Sequence, residues 1–442
     1  MGPGDDEGHA GARLREAYML PAQMLVEAKL PSHALDDPAA EVAGRLDAFL
    51  AAADCRDKRI AVGAGSRGID RIAEVIRAAV ATLKARGARP FIVPAMGSHG
   101  GGTAEGQLEL LDSFGINEAT MGVPLRSSME VVELGQTSAG EPVFTAREAL
   151  EADAVLLVNR VKPHTDFESV RVGSGLLKMT AIGLGKVEGA AAAHRSARRH
   201  GYEEAISAAA RVVRSRVKLL AGVALLEDPH HRLARVEVIP AGEIEAREPA
   251  LLAQARTWMP SLPFPDIDVL VLDEIGKNIS GAGMDTNIVG RGVDGMPFQA
   301  ARSRARTIYV RGLTPESHGN AVGVGLAEVV RSQIIAQMDV KAMYTNALSA
   351  MTPATVRVPM HFDSDAECLK AILRVSGADP ERARIVRVRN TLSVDRFVAS
   401  EAYAPEIASR SDLKVVVPPR PWALDAQGNF DPAEDLLART PA

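Results

Sequence analysis

The sequence predicts an α/β protein built of two domains with Rossmann-like parallel sheets, and three observations carry that prediction. Short apolar strands alternate with amphipathic helices between residues 59 and 114. The first two strands run into glycine-rich turns, GAGSRG after Ile60–Val62 and MGSHGGG after Pro90–Pro94. A further strand, Val155–Val158, closes on Asn159 and Arg160 and opens a loop that carries Lys162, His164, Asp166 and Glu168. Repetition of strand, turn and helix is the signature of a parallel sheet covered on both faces. Ligands of such sheets gather beyond the carboxyl ends of the strands.

Taken in order, EVAGRLDAFLAAA predicts a first helix, and Ile69–Arg86 a second, with Ile69, Ile72, Val75, Ile76, Val80 and Leu83 at helical spacing. Gly87 stops the second helix as a C′ glycine would. Thr103 is the expected N-cap of a helix reaching Phe114. Thr145 and Glu148 have the spacing of a capping box. The apolar stretch GLLKMTAIGLG and the alanine run before His194 predict further helix, as does Tyr202–Val217, and Leu220–Leu226 and Ala234–Ile239 predict strands. Three prolines within MPSLPFP, Met259–Pro265, mark a boundary. The expected domains are therefore 1–262 and 263–442, with the active site in the cleft between them. Beyond the boundary, strands at Val269–Leu272, Ile308–Arg311 and Arg384–Val388 and helices at Leu326–Met338 and Asp363–Ser376 predict the second α/β unit. The loop DEIGKNISGAGMDTNIVGRG is too long for a plain connection, and such loops tend to be functional.

Composition narrows the class. A chain of 442 residues with 46% hydrophobic and 24% charged residues has room for two or three packed cores. A net charge of -5 without a long basic block argues against nucleic acid as a partner. Two distant cysteines, Cys55 and Cys368, suggest neither a disulfide framework nor a metal knuckle. With no signal pattern and no apolar run of membrane-spanning length, a cytoplasmic protein without membrane contact is expected, acting on a small molecule and free to form a homo-oligomer.

Several residues are chemically conspicuous, and each has a plain alternative. Gly97, Ser98, His99 and Gly100 form a turn between strand and helix whose backbone N–H groups could cradle a phosphate or simply make a tight turn. His99, flanked by such residues at a strand's carboxyl end, is exposed to whatever binds there. Ser66 and Arg67 occupy the equivalent turn, where an arginine can clamp a carboxylate or merely face solvent. His164 follows Pro163, which fixes its loop. Lys178 among Leu176, Leu177, Met179 and Ile182 is either a desolvated, nucleophilic amine or a snorkelling side chain. His194 is a ligand or a surface histidine. Asp285 and Asn287 could be ligands or turn formers, and Lys277 is a speculative substrate contact.

The order SR, GSHGG, PH, SGLLK and H resembles the nickel-dependent lactate racemase family over most of the chain. That resemblance implies a nickel pincer nucleotide, a pyridinium mononucleotide whose two sulfur-bearing arms and one carbon bind nickel, and inversion of C2 of a 2-hydroxy acid by reversible hydride transfer. It makes His99 and His164 the two acid/base groups. Lys178 becomes the lysine tethered to the cofactor and His194 the nickel ligand. Arg67 helps hold substrate or cofactor, and Ser66, Gly97, Ser98, Gly100 and Gly175 belong to the surrounding cofactor-binding turns. The spacing from Lys178 to His194 is the most specific part of the match.

Two departures stand out. Ala64 occupies the position where characterised members carry an aspartate, three residues before the arginine. The segment between His164 and the SG of SGLLK is longer, and Leu176 replaces a glycine. Two other functions remain open on the sequence alone. One is a nickel-free sugar-acid lyase or epimerase using Lys178 as base or Schiff-base amine, and the other an inactive nucleotide-binding scaffold.

Overall fold

The computed structural model describes residues 20–66 and 68–437. The chain forms two compact units. Of the described residues, the first comprises Pro31–His164 and Glu168–Met259; the second takes 20–30, Thr165–Phe167 and 260–437. Strand β1 (Gln23–Ala28) belongs to the second unit.

In the first unit, β2 (Arg59–Ala64) pairs in parallel with β3 (Arg89–Pro94). The connecting helix Ile72–Ala85 buries Ile72, Val75, Ile76, Ala79, Val80 and Leu83, the stripe that its 3.6-residue period places on one side. Gly87 follows it at φ +80°, a left-handed conformation suited to glycine. The helix Pro38–Leu50 packs beside it, and the Asp37 carboxylate accepts the Ala40 N–H at its start. Beyond β3, Thr103 caps the helix Ala104–Ser113 through the Gly106 N–H at 3.1 Å.

A hairpin of β4 (Val131–Gln136) and β5 (Pro142–Ala146) stands apart from the main sheet. Thr145 lies within β5, and the short helical turn Arg147–Leu150 has no side-chain cap at Ala146, so the expected capping box does not form. Strand β6 (Ala154–Arg160) joins β2 in parallel on the side opposite β3, and β7 (Leu219–Glu227) extends the parallel run. An antiparallel strand, β8 (Leu233–Pro240), completes the order β3-β2-β6-β7-β8. Val62, Leu156 and Val223 lie in the core on one face of this sheet, with Leu46, Ile76 and Leu111 from the helices.

Among the described residues the second unit holds eight strands. Strands β9 (Asp266–Leu272), β10 (Arg304–Val310), β11 (Val329–Arg331), β12 (Met360–Phe362) and β13 (Ile385–Asn390) are parallel. Strands β14 (Ser393–Ser400), β1 and β15 (Leu413–Arg420) are antiparallel, in the order β12-β11-β10-β9-β13-β14-β1-β15. Each sheet thus keeps the expected parallel run and carries its antiparallel strands at one side. The helix expected at 326–338 is replaced by β11 and a short helix, Ser332–Gln337, because Val329 and Val330 pair with Tyr309 and Val310. The helix Asp365–Ser376 covers β9, β10 and β11 and buries Cys368, Leu369 and Ile372. Among the described residues no helix is long and apolar enough to cross a membrane.

Candidate active site at the carboxyl edge of the first sheet

Three neighbouring strands of the first sheet end in the loops that the sequence singles out. Ser66 follows β2, His99 follows β3 and His164 follows β6. Because β3 and β6 flank β2, the two histidine loops leave the sheet on either side of the Ser66 turn. Parallel strands are about 4.8 Å apart. The two loops therefore start roughly 10 Å from one another, a span that accommodates a small molecule. Arg67 lies outside the described residues.

The Ser66 hydroxyl makes a short hydrogen bond with His99 Nδ1. Both side chains are half-buried. The loop beneath His99 has Gly97, Gly100, Gly101 and Gly102 at φ between +60° and +68°. Gly100 is also pressed on the next helix: a Cβ there would lie 2.6 Å from the Gly106 carbonyl carbon, so only glycine fits. Gln107, fully buried, donates from Nε2 to the Gly97 carbonyl at 2.8 Å and to the His99 carbonyl at 3.3 Å.

Lys178 is half-buried in the opening turn Leu176–Lys178 and passes directly into a π-helical turn, Met179–Gly183, where the Leu184 N–H reaches back to the Met179 carbonyl. Such π turns are uncommon and recur at functional sites. The segment is stitched to the strand loops: Asn159 Nδ2 donates to the Gly175 carbonyl at 3.0 Å, and the Gly97 N–H to the Gly183 carbonyl at 3.0 Å. His194 is half-buried on the helix Lys186–His200, and its Nδ1 hydrogen-bonds the Tyr202 hydroxyl at 3.2 Å. Ala64 is 1% exposed and packs in the core beneath the sheet, so an aspartate at that position would need a buried partner.

Two buried charged residues that hold these segments escaped the sequence reading. Glu248, on the helix Ile244–Trp258, has no exposed surface, and its Oε2 accepts the Leu177 N–H at 2.9 Å. Burial pushes its pKa up to about 7 against the lowering effect of the Leu177 and Leu176 N–H groups. Lys186, likewise fully buried, donates from Nζ to the Pro94 carbonyl at 2.8 Å and to Gln107 Oε1 at 2.9 Å. Desolvation lowers its pKa to about 8, opposed by the charge of Glu148. The one cue in the sequence is a charge set among small and apolar neighbours, GLGKVEGA for Lys186 and EPALLA for Glu248.

The other candidates sit in the second unit. Lys277 Nζ donates to Asn346 Oδ1 at 2.7 Å and to the Gly281 carbonyl at 2.5 Å, ordering its own loop. Asp285 is buried and caps the turn Thr286–Val289, and Asn287 donates from both backbone and side chain to its carboxylate; both residues form the turn. Among the described residues no group of three or more His, Cys, Asp or Glu side chains converges as a metal site would require. The sequence resemblance asks for one protein ligand only.

Residues 60–204 match the lactate racemase N-terminal domain family. No curated protein sequence matches the chain. Among solved structures, the lactate racemase apoprotein from Thermoanaerobacterium thermosaccharolyticum shares the fold at 13% identity and a TM-score of 0.52, over 84% of this chain and 99% of that one. A Thermotoga maritima protein aligns at 14% identity and a TM-score of 0.46, over 64% of this chain and 72% of that one.

Proposed function

We propose that the chain, whose residues 60–204 match the lactate racemase N-terminal domain family, is a racemase or epimerase acting at C2 of a 2-hydroxy acid with a lysine-tethered nickel pincer nucleotide. The observation that carries this reading is the arrangement of His99 and His164 on the loops after β3 and β6, with Ser66 on the loop between them. When the C2 hydrogen leaves one face as hydride and returns to the other, the hydroxyl proton must be taken up on one side and given back on the other. Imidazoles, with pKa values near neutrality, serve in either direction.

The residues present suit the cofactor. Lys178, half-buried in a helical turn, would be the tether. His194 would supply the protein's nickel ligand through Nε2, since Nδ1 is engaged by Tyr202, the way metal-bound imidazoles are usually oriented. An imidazole beside soft sulfur donors in a tetragonal plane is a sensible nickel environment. When bound, the nickel pincer nucleotide supplies a reversible acceptor for the C2 hydrogen and its electron pair, which avoids a carbanion next to a carboxylate. The chain's own work is to move the hydroxyl proton. Ser66 holds His99 by Nδ1, leaving proton exchange with the substrate hydroxyl to Nε2. His164 acts in the same way from the other face.

The test is intact mass and metal analysis of protein co-produced with the enzymes that build the pincer nucleotide. The expected result is a mass increment mapped to Lys178 with stoichiometric nickel, followed by interconversion of a chiral 2-hydroxy acid in a substrate screen. An unmodified Lys178 under those conditions overturns the proposal.

A further inference from the structure

Lys186 combines two costly features. It is buried with no exposed surface, and its backbone is left-handed at φ +55°. An L-residue in that conformation is strained, and a buried ammonium is worse; neither persists unless its surroundings require it. Its two acceptors show what is required. One is the carbonyl of Pro94, the last residue of β3, and the other is Gln107 Oε1. Gln107 turns its amide nitrogen to the carbonyls of Gly97 and His99. The ammonium thus fixes which end of the Gln107 amide faces the loop, since an ammonium can only donate and must therefore meet the oxygen.

We propose that Lys186 is a positioning residue: through Gln107 it locks the main chain at Gly97 and His99, and so sets where the His99 imidazole stands. The relay grips the loop from below, while Ser66 grips the ring from the side. Without it, four left-handed glycines would leave the segment from Gly97 to Gly102 free to sample other conformations. The strained backbone of Lys186 is the counterpart of this, because it lets the first residue of the helix Lys186–His200 direct its side chain to Pro94 and Gln107. The inference rests on His99 being one of the two acid/base groups.

The test uses the full chain free of cofactor, with labelled histidine and the His99 signal assigned by its loss in His99→Gln. In wild type, His99 should give one sharp resonance, and the amides of 97–102 should be protected from exchange. Lys186→Met removes the donor. Gln107→Glu keeps an acceptor for Lys186 but turns an oxygen toward the Gly97 and His99 carbonyls. Both variants should broaden or split the His99 signal and speed exchange at 97–102 by roughly tenfold or more, with β6 unchanged. In loaded enzyme, kcat should fall about ten- to a hundredfold while KM stays within about twofold, as expected for a displaced catalytic group.

An unchanged His99 signal and unchanged exchange in folded Lys186→Met overturn the proposal. Should Lys186→Met fail to fold, an unchanged loop in Gln107→Glu overturns it equally. A loosened loop in protein that carries no lysine adduct and racemises nothing would support the relay and sink the racemase reading instead.

Discussion

The Glu248 carboxylate accepts the Leu177 N–H at 2.9 Å, so the residue before Lys178 is held by a side chain 71 positions away in sequence. Glu248 is fully buried, and desolvation raises its pKa from an ordinary carboxyl value to about 7. For a carboxyl raised in the folded state, the associated stability is fully present below the unfolded pKa of 4.5 and lost as pH climbs through about 7. Glu248→Gln keeps an acceptor and removes the ionisation. Urea denaturation should show the variant gaining on wild type by about 2–3 kcal/mol between pH 5 and pH 8. Parallel pH profiles would show that Glu248 does not titrate in that window.

Gly175 faces the same carboxylate. A Cβ there would lie 2.3 Å from Glu248 Oε1, a distance no real methyl group tolerates. Gly175→Ala should cost about 2–3 kcal/mol in wild type. The penalty should shrink by at least about 1 kcal/mol in a Glu248→Ala background, as a double-mutant cycle would reveal. Additive effects would mean that the clash is relieved elsewhere.

Tyr202 orients His194. Tyr202→Phe deletes the hydroxyl 3.2 Å from Nδ1 and leaves the ring in place. Nickel retention, measured by competition with a chelator, should weaken about ten- to a hundredfold, whereas the mass increment on Lys178 stays. Undiminished nickel binding would show that the Tyr202 hydroxyl does not orient His194 for the metal.

His99 and His164 should behave alike. Replacing either with alanine should reduce racemisation by about 10²- to 10⁴-fold with nickel content unchanged, as metal analysis beside chiral chromatography would show. Retained turnover in His164→Ala would exclude the two-base assignment.

What the sequence disclosed, and what it withheld, follows from the range of the forces involved. The elements around β2, β3 and β6 announce themselves because a periodic apolar stripe and a left-handed glycine such as Gly87 are local properties. The spacing that makes Lys178 and His194 candidates is local too. The segment 326–338 reads as helix, yet Val329 and Val330 form a strand once Tyr309 and Val310 are there to pair with them; tertiary pairing overrides propensity. Thr145 has the spacing of a cap, but it belongs to the hairpin that contains it. Lys186 and Glu248 pass unnoticed in the sequence, because a charge among small and apolar neighbours is only a weak sign of burial, which long-range packing decides.

The placement of β1 bears on how the protein is made. Its neighbours, β14 and β15, lie at the other end of the chain, and Ala22 hydrogen-bonds Glu401 across 379 positions. At roughly 5–20 residues per second, the first strand leaves the ribosome some twenty seconds to more than a minute before its partners exist. The apolar run Met24–Val26, fully buried in the finished sheet, must stay unpaired throughout that interval. A nascent chain of this topology therefore closes its second unit last, and one truncated anywhere before β14 would carry a permanently exposed, aggregation-prone strand at its amino end.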